Sequence, residues 1–193
     1  MSLLVRATEL VRRPVVTMGG EDIAQIKDVI FDASGGGVSG FTLNGRGLFA
    51  GPLDRALPMA AVTAIGRDAV MVPGADALAA RADVADSADI RNRNVLDNRV
   101  VTDTGTDLGT VVDVILQVGR TTDVAGYEIE AAEVLREGGR RVFLPLPDAL
   151  AVSGEALIVP AGAAEFVAHD LAGFGAAVEA FRNHLKGGPD AVQ

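Results

Sequence analysis

The chain has 193 residues, 49% of them hydrophobic, with no cysteine, no tryptophan and a formal net charge of −9. Lacking cysteine, it can build neither a disulfide framework nor a thiolate metal site. Lacking any basic block to neutralise phosphates, it is not expected to bind nucleic acid directly. The cations are 15 Arg and only Lys27 and Lys186, a bias that fits a GC-rich genome better than a selected binding surface. Charged residues interrupt every hydrophobic run and no apolar stretch of signal-peptide length opens the chain, so a cytoplasmic protein without a transmembrane segment is expected.

Taken in chain order, short β-branched runs alternate with turn residues, as in a compact all-β unit. Strands are predicted at 15–18, 23–32, 38–44, 56–59 and 69–72, with a short helical turn at 60–65. The run Asp32-Ala33-Ser34-Gly35-Gly36-Gly37 permits positive φ and closes a hairpin between the second and third strands. Residues 73–89, rich in Ala and Asp without a sustained apolar period, read as a solvated linker or a short frayed helix. Five further strands are predicted at 100–102, 108–118, 124–130, 142–146 and 156–159, with a weaker helical turn at 148–152. Pro160 then suits the first turn of a final helix running to about Lys186. Phe166, Phe174, Val178, Phe181 and Leu185 form its apolar stripe, and Asp170 interrupts that stripe. Gly187-Gly188-Pro189 stops the helix, and residues 188–193 are expected to be a disordered tail.

The two sets of strands are copies of one unit. Residues 6–32 and 91–117 align without a gap at an offset of 85. Val15-Val16-Thr17 recurs as Val100-Val101-Thr102, Gly20 as Gly105, and Asp28-Val29-Ile30 as Asp113-Val114-Ile115. Single insertions, placed where loops are expected, shift Val38-Ser39-Gly40-Phe41 onto Val124-Ala125-Gly126-Tyr127 and then Leu57-Pro58 onto Leu144-Pro145. Each copy is about 70 residues, a size at which one core is marginally stable alone. Association between the copies, or with another chain as in a homodimer, is therefore favoured.

The motif is a paired-valine strand, a Gly-containing turn, the segment Ile23-Ala24-Gln25-Ile26-Lys27-Asp28-Val29-Ile30, a hairpin, Leu-Pro, and a closing strand ending in Pro. Its second occurrence contains Leu108-Gly109-Thr110-Val111-Val112-Asp113-Val114-Ile115. This pattern resembles the PRC-barrel family, whose members include the cytoplasmic domain of the photosynthetic reaction-centre H subunit and the C-terminal domain of ribosome-maturation factors. The resemblance implies two small, strongly bent β-barrels that serve as docking modules and carry no catalytic residues. The first copy departs from the pattern at Ala24, where the second has Gly109, a difference that bears on local turn geometry.

Several motifs that suggest a site have plainer readings. Gly35-x-Gly37-x-x-Gly40 matches a dinucleotide fingerprint, but a strand and not a helix follows it, so a hairpin is expected. His169 and His184 stand about 22 Å apart along a helix and cannot share a metal within it. Asp28 and Asp113 occupy equivalent strand positions and are expected to accept backbone or Arg hydrogen bonds. Arg136, Arg140 and Arg141 lie among Glu130, Glu133 and Glu137, as in a solvated salt-bridged hairpin. Leu48 and Phe49, between glycines in the loop Asn44-Gly45-Arg46-Gly47-Leu48-Phe49-Ala50-Gly51-Pro52, are either core folded over the barrel mouth or an apolar tip for a partner.

The sequence thus predicts a mainly β chain: a barrel-like domain over 1–73, a linker over 74–90, a second barrel over 91–160 and a C-terminal amphipathic helix over 161–187. The two barrels are expected to be related by a pseudo-twofold axis. The expected role is a non-catalytic adaptor without cofactor or metal that docks a protein partner and assists assembly or regulation of a larger complex. Peripheral association with a membrane complex is compatible with it. The alternative is a ribosome-assembly factor that binds a basic ribosomal protein.

Overall fold

The computed structural model describes residues 3–32, 37–47, 50–84, 95–135, 138–146, 151–152 and 155–186. The predicted tail 188–193 lies outside them. The chain opens with β1 (Leu3–Arg6) and a single turn, α1 (Ala7–Leu10). The first copy follows as β2 (Pro14–Thr17), β3 (Asp22–Phe31), β4 (Val38–Asn44), β5 (Pro52–Pro58), β6 (Ala64–Ile65), β7 (Val70–Val72), β8 (Ala79–Ala80) and α2 (Arg81–Val84). The second is β9 (Arg99–Thr102), β10 (Asp107–Val118), β11 (Thr122–Ala131), β12 (Arg141–Pro145), β13 (Ala151–Val152) and β14 (Ala156–Val159), ending in α3 (Leu171–Lys186).

Two seven-stranded sheets result, one in the order β6-β7-β2-β3-β4-β5-β8 and one in the order β12-β11-β10-β9-β14-β13 with β1 added beside β10. Their ladders repeat pair for pair. Val15 lies opposite Ala24 and Val16 opposite Asp22; Val100 lies opposite Gly109 and Val101 opposite Asp107. Bulges fall between Ile26 and Asp28 and between Ile30 and Phe31, and again at the equivalent Val111/Asp113 and Ile115/Leu116. Bulges bend a strand and raise its twist, so each long strand turns in the same two places. The turn before β3 and the turn before β10 use Gly20 (φ 86°) and Gly105 (φ 87°). The kinks after α1 and before β9 use the equivalent Arg12 (φ 70°) and Asp97 (φ 66°), the only non-glycine residues in that region among those described.

Within residues 73–89, read as a solvated linker or a short frayed helix, 81–84 form the short helix α2, while β8 pairs with β5, Ala79 lying opposite Ala56, and Val84 packs over Gly40. The same elements recur in the second copy, where Ala168 bridges Phe143 and Phe174 packs over Gly126. The final helix does not start at Pro160. A 3-10 turn (Ala161–Phe166) and the bridge at Ala168 come first, because β12 is a sheet edge whose backbone needs a partner. Asp170 then caps α3, its Oδ1 accepting the Gly173 N–H at 2.6 Å, which explains a polar residue in the apolar stripe. Finally, the turn expected at 60–65 is a 3-10 turn (Met59–Ala61) followed by β6. The part of 148–152 that the structure describes is strand β13, paired with β14.

A single apolar core runs through both copies, from Leu10, Val15, Ile26 and Phe41 to Val100, Val111, Tyr127 and Leu157, all buried. A second, smaller cluster lies on the outer face of the second sheet. There Phe174 and Val178 of α3 close over Ile115, Ala125 and Phe143. The Phe143 and Phe174 ring centroids are 5.6 Å apart. Gly126 (φ 157°) makes room for this contact, since a Cβ there would stand 2.2 Å from Leu144 O and 2.8 Å from the Phe174 ring. Leu185 at the end of the stripe is 49% exposed. Phe174→Ala is therefore expected to cost about 3–5 kcal/mol in urea denaturation, and Leu185→Ala less than about 0.5 kcal/mol.

Candidate functional site

The two sheets meet at a pair of equivalent residues. Gly37 and Asp123, related by the repeat, form an antiparallel bridge to one another. Such a pairing of a residue with its own counterpart is the contact that a pseudo-twofold through this point produces. Beside the bridge the tip of the β10–β11 hairpin faces the segment from Met59 to Ile65 across an open cleft of about 430 Å³. Val38, Met59 and Ile65 line it along with Asp32, Arg120 and Asp123. Thr121 Oγ1 donates to Asp123 Oδ2 at 2.6 Å, which holds that carboxylate against its own hairpin.

A denser polar site lies where the N-terminal arm, β1 with α1, crosses onto the second sheet. The arm thus belongs to the first copy in sequence while its strand pairs with the second sheet. β1 runs antiparallel to β10, with Leu3 opposite Val118 and Arg6 opposite Ile115. Asp113 and Glu128 are cross-strand partners on β10 and β11, and each is only 3% exposed. Like charges directly opposite one another destabilise a sheet, and a buried carboxylate is costly unless it is paired. The arm supplies what both need. Arg6 Nε donates to Glu128 Oε2 at 2.7 Å, and its guanidinium lies 5.4 Å from the Phe143 ring centroid. Thr8 donates its N–H to Asp113 Oδ1 at 3.3 Å and its hydroxyl to Asp113 Oδ2. The bond to Glu128 drives the Arg6 guanidinium further up from its ordinary value. Burial pushes the Asp113 carboxyl above the usual Asp range; its bonds to Thr8 and Val114 pull the other way, and the negative charge of Glu128 adds to the rise.

Asp28 and Asp113 do the same local job: each follows a bulge and accepts the next residue's N–H, at 2.9 Å from Val29 and 2.8 Å from Val114. They differ in surroundings. Asp28 is exposed and its cross-strand partner is Thr42, where the second copy carries Glu128. The sequence put Asp28 and Asp113 in equivalent places but missed Arg6, Thr8 and Glu128. The one available signal was the replacement of Thr42 by a glutamate at the equivalent position of the second copy.

Leu48 and Phe49 lie outside the described residues. The loop that carries them is closed at its neck by the Gly45 N–H on Gly51 O at 3.0 Å, and Arg46 pairs with Asp22 at 3.3 Å. Of the fingerprint glycines, Gly37 leads into β4, Gly40 lies within it, and Gly35 is outside the described residues. A Cβ on Gly40 would stand 2.3 Å from Leu57 O, so that glycine is required by strand packing. His184 lies against the Phe166 ring at 5.3 Å and His169 is exposed. Arg141 and Glu130 are cross-strand partners, while Arg136 and Glu137 lie outside the described residues. Among the described residues no group of three His, Cys, Asp or Glu side chains is placed to hold a metal ion, and no helix is long and apolar enough to cross a membrane.

These features define a tandem of two equivalent β-units joined by the arm and by the Gly37–Asp123 bridge. A family model, PRC-barrel domain, matches residues 4–78 and again 88–166. The chain belongs to the PRC-barrel family, whose members are in general non-catalytic modules. No curated protein matches it.

The junction makes a quantitative expectation. Arg6→Met removes the cation that faces buried Glu128. Because Arg6 is itself 30% exposed, the loss should fall at the lower end of the roughly 3–5 kcal/mol that breaking a buried pair costs. Arg99→Ala, which breaks the exposed pair to Asp107, should cost less than about 1 kcal/mol. Urea denaturation of both variants checks the contrast.

Proposed function

We propose that the protein is a cytoplasmic, non-catalytic adaptor that docks a protein partner and assists the assembly or regulation of a larger complex. One observation carries this reading: the buried ionic groups of the second sheet are spent on joining the two units. Asp113, Glu128 and Arg6 bond to each other's elements and to Thr8, so the carboxylates that an acid–base mechanism would require are committed to scaffold. What such a molecule offers a partner is a fixed surface. The net charge of −9 favours a partner with a basic face, through steering and exclusion of like-charged competitors. Leu48 and Phe49 are the docking residues we assign to that partner, since they stand between glycines in a loop whose neck is closed by backbone hydrogen bonding.

The test is affinity capture from the native host with wild-type protein and with a Leu48→Ser/Phe49→Ser variant, alongside the melting temperature of each. The expected result is a stoichiometric partner that the variant loses while its melting temperature stays within a few degrees of wild type. Ribosomal proteins in the wild-type catch would favour the ribosome-assembly role, and membrane-complex subunits a peripheral adaptor role. A variant that keeps its partner, or one that is destabilised by several kcal/mol, would remove the loop from the docking surface.

A further inference from the structure

Residues 3–9 hold the second sheet through Arg6 and Thr8, and the repeat gives every party to that contact a counterpart. At an offset of 85, Arg6 becomes Arg91, Thr8 becomes Arg93 and Leu10 becomes Val95. On the sheet, Asp113 has its equivalent in Asp28 and Glu128 in Thr42, which are again cross-strand partners. Residues 85–94 lie outside the described residues, but the residues at both ends of that stretch and the Asp28–Thr42 surface are described.

The equivalence of the backbone reaches the edge of the stretch. Leu10 and Val95 are both buried. Arg13 O accepts the Ile26 N–H at 3.0 Å, and the equivalent Asn98 O accepts the Val111 N–H at 2.9 Å. The arm in front of Leu10 lies on the second sheet. An operation that exchanges the copies carries it onto the residues in front of Val95 and sets them on the first sheet. At its other end the stretch leaves Val84, whose side chain packs over Gly40. Gly40 and Thr42 are two residues apart on β4 and share a face of the sheet. Ten residues can span about 33 Å, ample for that path.

The surface itself calls for a donor. Thr42 is 5% exposed, and its Oγ1 is buried without a hydrogen-bond partner among the described residues. Its counterpart Glu128 accepts from the Arg6 guanidinium. A buried hydroxyl left unpaired is costly. Asp28 accepts the Val29 N–H and is exposed, whereas Asp113, held by Thr8, is buried. The charges also change in step. In the second copy two carboxylates, Asp113 and Glu128, face an arm that brings Arg6 and the neutral Thr8. In the first copy one carboxylate, Asp28, stands beside neutral Thr42, and the equivalent segment carries Arg91 and Arg93. The neutral donor opposite a buried Asp is thus replaced by a cation opposite an exposed one, which makes that hydrogen bond charge-assisted on both sides.

We propose that residues 88–94 dock on the Asp28–Thr42 face of the first sheet as residues 3–9 dock on the second, with Arg93 against Asp28 and Arg91 against Thr42 Oγ1. The two crossings are then reciprocal, and each copy is held by the segment that precedes the other.

The chain has no cysteine, so paired cysteine substitutions in the full chain report cleanly. With Asp28→Cys and Arg93→Cys, a short bismaleimide is expected to link the two positions within one molecule. It should do the same for Thr8→Cys with Asp113→Cys, whose native side chains are hydrogen-bonded. In the wild type, amide hydrogen exchange should show Ile90 and Arg91 protected to within about tenfold of Leu4, Val5 and Arg6. An unlinked Asp28→Cys/Arg93→Cys pair, a link that forms only between molecules, or amides at 90 and 91 that exchange at the intrinsic rate would each overturn the proposal. Should the cysteine variants fail to fold, the wild-type exchange decides.

Discussion

The structure depends on one crossing. Residues 3–10 leave the copy they precede in sequence and complete the sheet of the other, through the β1–β10 ladder and the bonds of Arg6 to Glu128 and Thr8 to Asp113. A unit of about 70 residues buries too little surface to be comfortable alone. The crossing and the Gly37–Asp123 bridge let the two small cores merge into one, which runs from Leu10 to Leu157 without a break between the copies. The charged groups at the junction are costly to bury, so their mutual satisfaction fixes where the arm must lie.

Symmetry accounts for most of the backbone. Equivalent hydrogen bonds recur at nearly equal lengths, as with the Arg12 N–H on Ile26 O at 2.8 Å and the Asp97 N–H on Val111 O at 2.9 Å. Departures from symmetry are then informative. Gly109 (φ 138°) lets the β10–β11 ladder continue to Ala131, where a Cβ would stand 2.1 Å from Glu130 O. Ala24, at the equivalent place, does not adopt that conformation, and the β3–β4 ladder ends at Gln25 opposite Asn44. The second copy is also closed by the sixteen-residue α3, which packs over Ile115, Ala125 and Phe143.

Much of the fold was legible in sequence because period-two runs and turn glycines are local signals. The predicted strands 38–44 and 156–159 coincide with β4 and β14. What could not be read was long-range or edge-dependent. β1 is a four-residue strand with no turn signal of its own, and its partner is more than 100 residues away. β8 and the bridge at Ala168 exist because sheet edges need backbone partners, a demand that alanine-rich sequence does not announce. The helical stripe was visible, but the start of the helix was set by Asp170 as a cap and not by Pro160. At the candidate site, Asp113 was visible through the repeat, whereas Arg6 and Glu128 became meaningful only once folding brought residues 122 positions apart to 2.7 Å.

The central claim is that the crossing arm and shared core make the two copies one cooperative body. Equilibrium urea unfolding with a reporter in each copy tests it most directly: the methyl resonances of Met18, Met59 and Met71 for the first, and Tyr127 fluorescence for the second. Coincident transitions with one midpoint and one slope are predicted. Two separated transitions, with the Met signals and Tyr127 unfolding at different urea concentrations, would contradict the account.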